Sequence, residues 1–187
     1  MLCTRIFEMK RTPTPKFSPH LQFVATRTHG GLRLFRHPRL CQEFLQALRE
    51  LRQEHPFKLF AYVIMPNHVH LVVHPSDGRI PELMKKLKSL SARRIINCLK
   101  KSGDDKLLTA LRKATLGRKQ DTYQVWQDGF HAVPLWSEWM IRKKIDYVHA
   151  NPLRQGVVKS AKDYTWSSFS NYHGIGNARI PLDPVPS

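Results

Sequence analysis

The chain has 187 residues, with 31 Lys and Arg against 14 Asp and Glu, a formal net charge of +17 and a sequence pI of about 10.3. Its 41% apolar content is enough for one ordinary core, so the length fits a single domain with short tails. A domain this basic repels itself unless a polyanion neutralises it, which makes nucleic acid the first expected partner and an anionic membrane surface the second. The cysteines, Cys3, Cys41 and Cys98, are far apart and odd in number. That argues against a disulfide framework and against a zinc finger and fits a reducing cytoplasm. The N-terminus lacks the apolar run of a signal peptide, and the longest apolar run, residues 60–65, is too short to span a bilayer. The expected setting is therefore cytoplasmic and nucleoid-associated, with no membrane partner.

Residues 1–20 are basic and carry Pro13, Pro15 and Pro19, which predicts a loose arm. The domain is expected over 21–174, followed by a Pro-rich tail over 175–187. LQFVATRT from Leu21 has the β-branched and aromatic content of a strand, and Gly30-Gly31 marks a turn. Leu40, Phe44, Leu45, Leu48 and Leu51 recur at helical spacing over 39–54. FKLFAYVIM (57–65) and HVHLVVHP (68–75) read as two strands of an antiparallel hairpin about a Pro66-Asn67 turn. Pro81 suits the first turn of the next helix, which carries Leu83, Leu87, Leu90, Ile95 and Leu99. Residues 101–122 are polar with a short amphipathic centre and read as an exposed insertion. YQVWQ (123–127) reads as a fourth strand, and 137–151 as a helix stopped by Pro152. This order of strands and helices predicts an α+β, ferredoxin-like antiparallel sheet with helices on one face.

Two stretches carry candidate chemistry. In the strand at 68–75, alternate side chains share a face, so His68 and His70 stand together, roughly 7 Å apart along the strand. A pair so placed can share a divalent ion, although the same spacing describes ordinary surface histidines. His74 follows on that face, but Pro75 marks the end of the strand and His74 is not counted. In the helix at 137–151, Ile141, Ile145 and Val148 form a core stripe. Lys144, Tyr147 and Asn151 form the adjacent stripe, which puts the phenol beside a positive charge and one turn before an amide. From these residues alone, Tyr147 is either a reactive group or a half-buried packing residue. Asn151 is either a hard oxygen ligand suited to Mg²⁺ or Mn²⁺ or a C-terminal cap before Pro152. Lys143, Lys144 and Arg154 are either phosphate contacts or solvated helix charges. Trp126, Trp136, Trp139 and Trp166 are expected as core anchors, and Ser167 and Ser168 as caps.

MPNHVHLVV, YVHANPLRQGVV and DYTWSSFSNY, in that order, resemble the single-tyrosine HUH transposases, and within them the branch of REP-associated tyrosine transposases. The resemblance runs from about Phe23 to Tyr172. It implies a ferredoxin-like fold, His68 and His70 as metal ligands with Asn151 as the third protein ligand, Tyr147 as nucleophile, and Mg²⁺ or Mn²⁺ as cofactor. It also implies single-stranded and hairpin DNA as partner, cut and rejoined next to palindromes through a 5′-phosphotyrosine. Three readings compete: a catalytically inactive transposase that only binds DNA, a replication or conjugation initiator, and a metal-dependent phosphodiesterase that uses water in place of Tyr147. Whether the protein is a monomer or a homodimer stays open.

Overall fold

Residues 57–75 fold as the hairpin their pattern predicts. The computed structural model of the protein describes residues 21–112, 123–175 and 178–186. The arm expected over 1–20 and residues 113–122 of the expected insertion lie outside them. In chain order the elements are β1 (Gln22–Arg27), α1 (Pro38–Glu54), β2 (Phe57–Met65), β3 (His68–Pro75), α2 (Ile80–Ser102), α3 (Asp105–Leu111), β4 (His131–Pro134), α4 (Glu138–Arg154) and α5 (Phe169–His173). The strands form one antiparallel sheet in the order β2-β3-β1-β4. This is the ferredoxin-like plan, α+β as expected. Among the described residues no helix is long and apolar enough to cross a membrane.

Strand alternation sorts the core into two layers. Leu59, Tyr62 and Ile64 of β2, Val69, Leu71 and Val73 of β3, and Val24 of β1 pack against α1 and α2. Phe23, Ala61, Val63 and Val72 face the other way and pack against Ile141, Ile145 and Val148 of α4. The expectation that the helices lie on one face is thus corrected: α4 covers the opposite face. The cause is legible in the strands, because β2 and β3 are buried on both sides and need an apolar cover on each.

Two boundaries also differ. The fourth strand is β4, not YQVWQ. Val125 and Trp126 are buried, but this segment makes isolated bridges alone, Tyr123 to Arg112 and Trp126 to Thr28 beyond the end of β1. The ladder positions of β1 at 22–25 are taken by residues 131–134. Helix α4 runs through Pro152 to Arg154 rather than stopping there. Proline removes one N–H, and the backbone resumes at once, with Gln155 N donating to Asn151 O at 3.0 Å and Val157 N to Pro152 O at 2.9 Å. Within the expected insertion, α3 docks Leu108 and Leu111 against the α1/α2 core.

Strand β2 lies at an edge of the sheet, and the chain after α4 seals it. Ile64 N donates to Trp166 O at 2.9 Å, Ser168 N to Tyr62 O at 2.9 Å, and Asp183 N to Leu59 O at 2.9 Å. The Tyr164 hydroxyl donates to Ile64 O at 2.6 Å, and that of Tyr172 to Phe60 O at 2.8 Å. The DYTWSSFSNY block is therefore an edge cover, which satisfies backbone groups that would otherwise template aggregation. Ser168 does so with its side chain instead of capping α5.

Candidate functional site

The two-residue turn between β2 and β3 sets His68 and His70 on the sheet face that meets α4. Both are buried, 5% and 7% exposed, with ring centroids 4.7 Å apart. Asn67, read from sequence only as a turn residue, has its Oδ1 2.8 Å from His68 Nδ1. An amide oxygen only accepts, so Nδ1 carries the proton and His68 Nε2 keeps a free lone pair. Burial, then the charge of Arg27, lowers the pKa of His68. The pKa of His70 falls further, to about 3, through burial, then His68, Lys144 and Arg27. Both imidazoles are therefore neutral at ordinary pH, the form that coordinates metals.

Helix α4 brings the expected stripe onto this pair. The Tyr147 ring lies 5.6 Å from the His70 ring and 5.8 Å, edge-on, from Phe23. Lys144 Nζ stands 5.3 Å from the Tyr147 ring centroid and 4.6 Å from that of Phe23, and the Arg154 guanidinium lies 5.5 Å from the Tyr147 ring. Lys143 points elsewhere, to Trp139, so of the three expected basic groups two reach the tyrosine.

Asn151 is 2% exposed inside α4, which removes the C-terminal cap from consideration. Its side chain acts on His68 against the effect of burial, which sets it beside that ring. Asn151 Oδ1 and His70 Nδ1 are both buried without a hydrogen-bond partner. Unpaired buried polar atoms are costly, and two beside the same histidine pair call for a ligand. Among the described residues no three His, Cys, Asp or Glu side chains gather as a metal site. A cation here would thus take its third protein donor from an amide.

The histidines and Tyr147 open into a cleft of about 480 Å³ lined also by Arg27, Gln127, Asp128, His131 and Gln155. Arg27 is the most telling addition. Its residue pairs directly across from His68, as Ala25 does from His70, so it shares the histidine face. Strand alternation in Leu21–Thr28 groups positions 23, 25 and 27, but nothing in the sequence says which strand they oppose. Of the tryptophans expected in the core, Trp126 is 4% exposed, whereas Trp136 and Trp139 are 39% and 68% exposed.

A REP-associated tyrosine transposase of Escherichia coli (strain K12) is 24% identical over 149 residues, covering 76% of this chain and 71% of that protein. A relative from Haemophilus influenzae (strain ATCC 51907 / DSM 11121 / KW20 / Rd), named for the same group, is 23% identical over 129 residues, covering 68% and 67%. The solved structure of a REP-associated tyrosine transposase bound to a REP hairpin has the same fold, with a TM-score of 0.63 at 17% identity over 96% of this chain and 95% of that one. Residues 20–151, well over half the chain, match the family described as "Transposase IS200 like", and the chain belongs to that family of transposases.

Proposed function

We propose that the protein cuts and rejoins single-stranded DNA next to hairpins of the REP type, with Tyr147 as nucleophile. The observation that carries this is the packing of Tyr147 against His70, with Lys144 and Arg154 flanking its ring. The REP names of the relatives, and the hairpin bound in the solved structure, supply the substrate class. In the first step the phenol oxygen forms a bond to a backbone phosphorus and the bond from phosphorus to the 3′ oxygen breaks. The products are a 5′-phosphotyrosine and a 3′-hydroxyl, and the phenolic proton replaces the lost bond on the leaving oxygen. Attack of a 3′-hydroxyl on the phosphotyrosine reverses the exchange, so one phosphodiester is conserved throughout and no nucleotide triphosphate is consumed.

A phenol with a pKa near 10 must shed its proton during attack. Lys144 and Arg154 favour the developing phenolate and hold the phosphates beside it. His68, His70 and Asn151 would hold Mg²⁺ or Mn²⁺, which when bound supplies Lewis-acid polarisation of the attacked phosphate. The donor set fits: two neutral nitrogens and an unpaired amide oxygen. The test is incubation with a flanked hairpin and Mn²⁺, followed by a denaturing gel. Wild type is expected to form a covalent adduct and Tyr147→Phe none, while binding DNA within a few fold. Cleavage by Tyr147→Phe would favour a hydrolase using water; hairpin binding with no adduct from wild type would favour an inactive DNA binder.

A further inference from the structure

Tryptophan is the side chain with most to gain from burial, yet Trp139 leaves 68% of its surface in water near the start of α4. It takes no part in the α4 core stripe, whose members are Ile141, Ile145 and Val148. Its neighbourhood is cationic. Lys143 Nζ lies 5.9 Å from the ring centroid, and the next residue, Lys144, reaches Tyr147. Arg142, by contrast, is paired with Glu138 at 2.6 Å. Trp139 precedes Tyr147 by eight residues, about 12 Å along the helix axis and roughly 80° around it. Aromatic and positive groups therefore run along one side of α4 towards the tyrosine.

We propose that Trp139, with Lys143, is a stacking subsite for an unpaired base of single-stranded DNA, a few nucleotides from the phosphate that meets Tyr147. An exposed indole offers the flat apolar face on which any base stacks, and a neighbouring ammonium neutralises the backbone of the same strand. The net charge of +17 favours this occupant over a second copy of the chain, because two such surfaces repel each other. The assignment of the strand's path rests on the proposed function; the stacking itself does not.

The test compares a hairpin carrying a single-stranded flank with the same hairpin without one, by anisotropy titration of wild type, Trp139→Ala and Trp139→Phe. Trp139→Ala should weaken binding of the flanked hairpin on the order of tenfold and leave the bare hairpin unchanged, while Trp139→Phe retains most of the affinity. One abasic position in the flank should reproduce the loss and add nothing to Trp139→Ala. Unchanged affinity for the flanked hairpin, or an equal loss on both, overturns the proposal. So does a shift from dimer to monomer on sedimentation of Trp139→Ala, which would assign the surface to self-association. Covalent adduct is scored in parallel samples. If it is absent while the flank-specific loss persists, the strand-transfer reading falls and the subsite stands.

Discussion

His149 Nε2 lies 2.9 Å from Ser168 Oγ, a contact that ties the tyrosine helix to the segment sealing the edge of the sheet. Ser168 Oγ also accepts from Tyr62 N at 2.9 Å, and the imidazole packs edge-on to Phe169 and Tyr172 with centroids 5.7 and 5.0 Å away. His149 stands midway between Tyr147 and Asn151 in the chain, but on the buried side of α4. Loss of this contact should loosen the rotation of α4 that turns Tyr147 towards His70. His149→Ala and Ser168→Ala should each cost about 1–3 kcal/mol of stability. They should also slow adduct formation more than they weaken DNA binding, and the double mutant should lose less than the sum. Thermal melts alongside adduct kinetics measure both; wild-type adduct rates in the destabilised mutants would remove the positioning role.

Acid should unfold the protein through its buried histidines. Burial, then the nearby His173, lowers the pKa of His149 to about 4, and that of His70 is about 3, against 6.5 in the unfolded chain. Between these values the unfolded state binds more protons than the folded one. Stability is therefore unaffected by these groups above about pH 6.5 and falls as pH drops below it, by up to about 1.4 kcal/mol per pH unit for each histidine. Urea midpoints measured from pH 7.5 to pH 5 should fall in metal-free protein, and less steeply in His149→Gln. A flat profile would contradict the burial of both rings.

Arg27 should matter to the reaction although its position made it invisible as a candidate. It lies across from His68 and lines the cleft shared with Tyr147. Arg27→Ala should slow adduct formation about tenfold or more by removing a fixed positive group from the phosphate's path. Its melting temperature should stay near that of wild type, because the side chain is exposed. Arg27→Lys should recover part of the rate, keeping charge but losing the planar fork. Full activity in Arg27→Ala would place the phosphate elsewhere.

Chelation and ligand removal should agree. EDTA, His68→Ala and His70→Ala should each abolish cleavage. Asn151→Ala should weaken Mn²⁺ binding less, because water can occupy an oxygen position. Isothermal titration with Mn²⁺ reads this without any activity. Undiminished Mn²⁺ affinity in the double histidine mutant would refute the site.

Binding should be steeply salt-dependent. For single strands log K should fall linearly with log salt, with a slope of about 0.7 per phosphate neutralised. A hairpin with a single-stranded flank should outcompete an unstructured strand or a plain duplex of equal length. Equal affinity for all three at every salt would reduce the basic surface to a non-specific one.

Local pattern was enough for much of this molecule. The β2–β3 hairpin, α1, the start of α2 at Pro81, and the shared stripe of Lys144, Tyr147 and Asn151 all follow from period-2 or helical spacing and from turn chemistry, which are properties of short stretches of chain. That His68 and His70 share a face follows in the same way. What needed tertiary structure is everything that depends on which surfaces meet. YQVWQ carries a strand pattern, but β4 occupies the β1 ladder in its place. Pro152 reads as a helix stop, but burial of Asn151 and the hydrogen bonds beyond it carry α4 onward. Arg27 enters the site through strand register, and Trp139 leaves the core because the α4 stripe that meets the sheet excludes it. The tyrosine reaches the histidines because α4 crosses to the sheet face opposite α1 and α2. Periodicity says that a face is apolar, whereas its partner is chosen by the packing of the whole chain.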